Sequence, residues 1–276
     1  MGSFAAHPGG AKPDPVLVVS GLQRRFGGIV AVDVDHLEIQ RGLITAIIGP
    51  NGAGKTTFFN VLTGFERSDQ GSWSFDGRPI HGLSPHRIVR RGMVRTFQLT
   101  KTLAKMSVLE NVMLAAPDQR GERIWSAFVR PLWMAQENDV RERAEGLIAR
   151  VGLTALRDDY AGTLSGGQRK LLELARALMV EPRVLMLDEP MAGVNPALVE
   201  SLLDHIVTLR DEGRTVVFIE HDMDVVQRIS DWLVVMAEGQ VIAEGPPRET
   251  AADPVVIDAY LGRPRTSDSS GAEVPE

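Results

Sequence analysis

Residues 49–56 read Gly-Pro-Asn-Gly-Ala-Gly-Lys-Thr, a glycine-rich turn ending in a lysine and a hydroxyl. The spacing fits G-x-x-x-x-G-K-[ST], which cradles phosphate when it follows a strand and opens a helix. Gly52 and Gly54 carry no Cβ, so backbone N–H groups can curl around phosphate oxygens. The helix N-terminus adds a positive dipole end. Lys55 supplies a point charge to the β- and γ-phosphates, and Thr56 offers its hydroxyl to Mg²⁺. The candidate nucleotide-binding set is Asn51, Gly52, Ala53, Gly54, Lys55, Thr56 and Thr57.

A second cluster completes this chemistry. Val184-Leu185-Met186-Leu187-Asp188-Glu189 is an apolar strand ending in two acids. In open α/β folds that end of a strand is where ligands bind. Asp188 can hold Mg²⁺ through water. Glu189 is then placed to polarise a water beside the γ-phosphate.

These residues need elements to position them. Leu43–Ile48, Val184–Leu187 and Val216–Ile219 are continuous apolar runs, the pattern of strands covered on both faces. Helical spacing appears at Leu171, Leu174, Ala175 and Leu178, and again at Leu198, Leu202, His205, Ile206 and Leu209. Asn195 before Pro196 makes a good helix start. This alternation predicts an α/β class. Val16–Val19, the alternating Val30, Val32 and Val34, and Ser72–Phe75 read as strands with no helix between the first two. Val234–Met236 and Val241-Ile242, around Glu238-Gly239, read as a late hairpin. Together they predict an antiparallel β layer beside the α/β core. The stretch from about 99 to 163 looks helical. Within it, Trp125, Phe128, Leu132 and Trp133 could share a face that Pro131 interrupts. Residues 1–15 and 263–276 are rich in Gly, Pro and small polar residues and read as mobile tails.

Composition narrows the classes. The 276 residues are 43% hydrophobic and 24% charged, enough apolar content to build a packed core. Lys plus Arg number 30 and Asp plus Glu 36, a net charge of −6 that argues against a sequence-blind nucleic-acid binder. The chain has no cysteine, which excludes disulfides, cysteine-ligated metals and thiol catalysis. No run approaches 18 apolar residues, and the N-terminus lacks a basic stretch followed by an apolar one. A cytoplasmic, mildly acidic protein is the expectation.

Residues 164–168 read Leu-Ser-Gly-Gly-Gln. Ser165 is a good N-cap, and Gln168 three residues on completes a capping box. Gly166 and Gly167 leave N–H groups bare at a helix N-terminus, a second anion site. With the phosphate loop at 49–57, LSGGQ at 164–168 and LMLDEP at 185–190 in that order, the chain resembles the ATP-binding cassette (ABC) ATPases over about residues 16–262. The resemblance implies a P-loop NTPase ABC cassette with a RecA-like core, an antiparallel β layer and a helical signalling subdomain at about 99–163. It implies ATP and Mg²⁺ as cofactors and hydrolysis of ATP. Leu164, Ser165, Gly166, Gly167 and Gln168 would close over the γ-phosphate held by a second cassette, the same or a homologous chain.

The resemblance also assigns single residues by position. Gln98, in Arg-Thr-Phe-Gln at 95–98, matches the glutamine that contacts Mg²⁺ and water. His221 matches the histidine that reaches the γ-phosphate, and Phe26 the aromatic that stacks on adenine. Glu189, His221, Lys55 and Gln98 form the catalytic set, and Thr56, Gln98 and Asp188 the metal set. One position departs from the family, since Asn195 stands where an Asp is usual in the loop after LDEP. An Ala-Gly-x-Asn pattern there, Leu83–Ile88, Val108–Val112 and the ending Val256–Gly262 resemble the branched-chain amino acid uptake ATPases. That branch implies two transmembrane permease subunits, an extracytoplasmic solute-binding protein as an indirect partner, and peripheral attachment to the cytoplasmic face of the plasma (inner) membrane. Related cassettes import urea or short amides, or export lipopolysaccharide, and soluble relatives act in DNA repair or translation. The single cassette, the missing heptads and the acidic charge weigh against the last group.

Overall fold

A computed structural model describes residues 6–96, 103–117 and 130–261. Two twelve-residue strands, β1 (Pro15–Phe26) and β2 (Ile29–Gln40), pair antiparallel around a two-residue turn. Then come β3 (Ile44–Ile48), α1 (Lys55–Leu62), β4 (Gln70–Phe75), β5 (Arg78–Pro79), α2 (Pro85–Arg90) and β6 (Met93–Arg95). The middle of the chain forms α3 (Val108–Met113) and α4 (Arg130–Arg150). The last third contains α5 (Gly166–Leu178), β7 (Val184–Asp188), α6 (Pro196–Asp211), β8 (Thr215–Ile219) and α7 (Met223–Ile229). It ends with β9 (Trp232–Ala237), β10 (Gln240–Gly245), α8 (Pro247–Ala251) and α9 (Pro254–Leu261).

The strands form two sheets. One is antiparallel, in the order β2-β1-β4-β5, and the other runs β10-β9-β3-β8-β7-β6. In the second sheet β9, β3, β8, β7 and β6 are parallel neighbours, and β10 turns back against β9. The period of two along each strand decides where side chains go. Ile44, Ala46 and Ile48 join the core under α3–α6, whereas Ile47 points into the core shared with α1 and the antiparallel sheet. Leu185 and Leu187 divide from Val184 and Met186 in the same way. Both faces are covered, which is why these strands read as unbroken apolar runs. Phe58 and Phe59 anchor α1 between the sheets and so hold the phosphate loop on a rigid base.

Three expectations change. The late hairpin is present, but β9 pairs with β3 and so extends the parallel sheet instead of the separate layer. Its side chains alternate between the two cores as those of β3 do, so burial on both faces selects its sheet. The mobile tail expected over 1–15 is docked where it is described. Lys12 is buried with its Nζ 3.4 Å from Glu244 and over the Trp232 ring, while the Gly10 N–H donates to the same carboxylate. A buried charge matched across more than 200 positions has no local signature. Finally, Pro131, expected to interrupt a helix, lies within α4, which runs on from it to Arg150. Trp125 and Phe128 lie outside the described residues, as does everything after 261. No helix among the described residues is long and apolar enough to cross a membrane.

Candidate nucleotide site

The phosphate loop leaves the carboxyl end of β3 and enters α1. Gly49 (φ 151°) and Gly54 (φ 93°) adopt backbone conformations that side chains rarely do. A Cβ on Gly49 would overlap the carbonyl oxygen of Met236, and one on Gly54 that of Ala31. The loop is thus pressed against β2 and β9 with no room for side chains, and the Gly239 N–H donates to the Ala53 carbonyl at 3.1 Å. No side chain caps α1 at Gly54, so its first N–H groups stay open to an anion. Lys55 curls back, its Nζ 2.6 Å from the Gly49 carbonyl and 3.0 Å from that of Pro50. Burial pushes the Lys55 pKa down, opposed first by Glu189 and then by Asp188. A half-desolvated cation held by carbonyls and facing open amides is a cradle built for an anion.

The two acids end β7 as expected. Asp188 is mostly buried, and its Oδ2 accepts from Arg95 Nη2 at 2.6 Å. Arg95 lies at the end of β6, is 1% exposed at its side chain, and donates its other nitrogen to Asn60 Oδ1 of α1 at 2.5 Å. Burial lowers the Arg95 pKa, and the hydrogen bond to Asp188 opposes that shift. Three elements of the site are therefore tied at one guanidinium. Glu189 is exposed and has φ 46°, one of four non-glycine residues with positive φ among the described residues. Such backbone costs on the order of 1–3 kcal/mol and persists only where the surroundings impose it. Here the Glu189 N–H donates to the Ile219 carbonyl at 3.0 Å, and Lys170 Nζ donates to the Glu189 carbonyl at 3.0 Å. The strained turn leaves the carboxylate in solvent at the sheet edge, free to meet a water.

The LSGGQ helix start has the form its residues predict. The Gln168 N–H donates to Ser165 Oγ at 3.3 Å, and the Ser165 N–H donates to Gln168 Oε1 at 2.9 Å. Leu164 is buried, while Ser165 and Gly166 are exposed. A Cβ on Gly167 would strike Leu198 and crowd Val194, so α5 sits tight against the start of α6. Asn195 caps α6, accepting from the Leu198 N–H at 2.9 Å. The change from Asp to Asn therefore keeps the cap.

The remaining expected residues are dispersed. Phe26 ends β1 at 45% exposure, with the Arg24 guanidinium 4.4 Å from its ring centroid. His221 follows β8 with its side chain 69% exposed. Gln98 lies outside the described residues. The structure brings Lys55, Asp188 and Glu189 within electrostatic reach of one another. Thr56 and Thr57 follow Lys55 in α1, with Thr56 exposed.

Sequence reasoning missed Arg95 and Asn60. Arg95 left one signal in the sequence, a charge directly following the apolar pair Met93-Val94. Among the described residues, no group of three or more His, Cys, Asp or Glu side chains converges on a metal. The donors beside the loop are one carboxylate and one hydroxyl, which suits a hard cation that keeps several waters and leans on substrate phosphates.

Comparison with known proteins agrees with this geometry. The pattern of the family described as "ABC transporter" matches residues 32–192. The pattern described as "Branched-chain amino acid ATP-binding cassette transporter" matches residues 240–265. The high-affinity branched-chain amino acid transport ATP-binding protein BraF of Pseudomonas aeruginosa is 43% identical over 250 residues, covering 90% of this chain and 98% of BraF. LivG of Escherichia coli K12, of the same description, is 39% identical over 250 residues, covering 90% and 98%. Among solved structures, a nucleotide-free ATP-binding cassette from an ABC transporter superposes with TM-score 0.78 at 37% identity, covering 90% of this chain and 100% of that one. An ADP conformation of an ABC-transporter cassette gives the same TM-score and identity, covering 90% and 99%.

Proposed function

This chain belongs to the ABC transporter family, whose activity is ATP hydrolysis, and from that premise we propose that it is the motor subunit of a membrane importer for branched-chain amino acids. The observation that carries the import reading is the match at 240–265, which lies outside the general family match and covers β10, α8 and α9. BraF and LivG, named for that transport, support it along nearly their whole length.

The residues divide the work. The amides of Asn51–Thr57 and the Lys55 ammonium bind the phosphates, and the rigid base under α1 keeps that cradle in place. Phe26 offers its ring to adenine. Mg²⁺, when bound, neutralises charge on the β- and γ-phosphates, and Thr56, Asp188 and Gln98 would hold it. Glu189 takes a proton from the water that attacks the γ-phosphorus, so that ADP leaves. His221 steadies the γ-phosphate. Asn51, Gly52, Ser165 and Gly166 are all exposed, and we read both surfaces as facing a second cassette, each copy completing the other's site. Two permease subunits would form the membrane channel and a solute-binding protein would deliver cargo. The cassette would therefore sit peripherally on the cytoplasmic face of the inner membrane.

The test is ATPase activity of this chain co-purified with its permeases in lipid. Solute-binding protein loaded with leucine, isoleucine or valine is expected to raise the rate several-fold over the empty protein. An equal rate with loaded and empty protein would contradict the proposal.

A further inference from the structure

Positive charge is not spread evenly along the chain. Residues 77–109 carry five arginines and two lysines and no acidic residue, in a protein whose net charge is −6. Arg95 is paired inside the nucleotide site. The other four arginines of this run lie outside it. Arg78 in β5 and Arg87 and Arg90 in α2 are exposed, and Arg91 follows at the end of that helix. Arg183, just before β7, joins them from a distant part of the chain. Its Nη2 donates to the Arg91 carbonyl at 2.7 Å and its Nη1 donates to Asp76. Arg91 Nη1 donates to the Pro79 carbonyl at 2.6 Å, a partner that carries no charge to cancel its own. Arg78, Arg90, Arg91 and Arg183 line a shallow cavity of about 300 Å³ together with Phe75 and Asp76. Asp76 is shared between Arg183 and Arg41, the latter at 2.7 Å. Glu181, two residues before Arg183, is turned to Arg143 at 2.7 Å. The cavity therefore keeps a surplus of positive charge.

This patch is not part of the ATP site. β6 and β7 run parallel, and the Gly92 carbonyl accepts from the Arg183 and Val184 N–H groups where the two strands begin. Arg95 and Asp188 stand at their other ends. Five residues of strand put Arg183 roughly 16 Å from Asp188. The patch stays open when nucleotide fills the phosphate loop. A guanidinium offers a planar fork of donors that matches phosphate oxygens. Clustered arginines are also drawn to anionic bilayer surfaces, each adding to the attraction. A duplex is a poor fit, because the net charge of −6 would repel it beyond this patch. The apolar ring in the lining is no anchor for a protein segment either, since Phe75 is buried beneath the Arg183 guanidinium, 5.0 Å from its ring centroid. We propose that Arg78, Arg87, Arg90 and Arg183 form a docking surface for the phosphates of an anionic lipid bilayer, with one headgroup seated in the cavity. The surface would hold the cassette against the membrane by contacts separate from those to its permeases.

The proposal rests on the reading that places this chain at a membrane, and its test separates the two. The full chain is sedimented with vesicles of phosphatidylcholine alone, or of phosphatidylcholine with about one third phosphatidylglycerol. It is expected to bind the anionic vesicles at least about tenfold more tightly, and to lose that preference as salt is raised. The variant Arg78→Gln/Arg87→Gln/Arg90→Gln leaves Arg91 and Arg183 to hold β5, α2 and β7 together, and is expected to weaken binding to the anionic vesicles about tenfold or more. Arg25→Gln/Arg141→Gln/Arg248→Gln removes the same charge from other exposed positions and is expected to bind as the unmodified chain does. Equal binding to both vesicles, or an equal loss in the two variants, would overturn the proposal. Release of the chain from anionic vesicles by inorganic phosphate at constant ionic strength would assign the cavity to a free anion and overturn it too. Loss of the permeases from the first variant in lipid-free detergent would assign the patch to a protein partner, with the same consequence. An unmodified chain that binds anionic vesicles but hydrolyses ATP with no response to loaded solute-binding protein would sink the import reading and leave this one standing.

Discussion

Glu189→Gln is expected to bind ATP with unchanged affinity and to lose ATP turnover by about 10²–10⁴-fold. The two side chains have the same shape, so the substitution removes the proton acceptor and little else. Its backbone hydrogen bonds to Ile219 and Ala192 and the contact from Lys170 use main-chain atoms, which do not change. The left-handed turn should therefore survive, and with it the placement of the side chain at the edge of the sheet. A protein that holds ATP without spending it should also stay closed. ATP-loaded Glu189→Gln is expected to elute as a stable dimer on size exclusion, while the unmodified chain returns to monomer as ATP is consumed. Rapid-quench measurement of phosphate release reads the first effect directly. Turnover within a factor of three of the unmodified protein would remove Glu189 from the role of base.

Arg95→Met should act on stability before it acts on chemistry. The guanidinium is buried and carries two charge-assisted or polar contacts, to Asp188 at 2.6 Å and to Asn60 at 2.5 Å. Methionine fills much of the same volume over Phe59 but leaves the mostly buried Asp188 carboxylate without its hydrogen-bonded cation. Breaking one side of a buried pair costs about 3–5 kcal/mol. For a chain of this size that lowers Tm by roughly 10 °C. The double variant Arg95→Met/Asp188→Asn removes the orphaned charge as well and is expected to regain more than half of the loss. Thermal melts of the nucleotide-free chain, arranged as a double-mutant cycle, check both numbers. A single variant as stable as the parent would mean that water already solvates Asp188 and that the pair is incidental.

Legibility in the sequence followed the range of each interaction. The glycine loop, the Ser165–Gln168 capping box and the Asn195 cap are local, and their residue types carry the geometry within a few positions. The continuous apolar runs at β3, β7 and β8 were legible because burial on both faces leaves no polar alternation to hide. The late hairpin was legible as a hairpin but not as part of the parallel sheet, since pairing of β9 with β3 joins residues nearly 190 positions apart. The charged pairs were the least visible. Arg95 with Asp188, Lys12 with Glu244, and Glu220 with the Met191 N–H each match a buried charge to a partner distant in the chain. Nothing local distinguishes such a charge from a solvated one. The branch of the family was legible in the Ala-Gly-x-Asn pattern, Leu83–Ile88, Val108–Val112 and the ending Val256–Gly262, by resemblance and not by chemistry, since a motor that does not touch the cargo keeps no residue to read it.

The central claim is that ATP turnover on this chain drives branched-chain amino acid import. Its direct test is uptake of labelled leucine into proteoliposomes that contain this chain, its permeases and the loaded solute-binding protein, with ATP supplied on the cassette side. The account predicts uptake that requires ATP and falls to background when Glu189→Gln replaces the unmodified chain. Leucine accumulation that proceeds without ATP, or at full rate with Glu189→Gln, would contradict it.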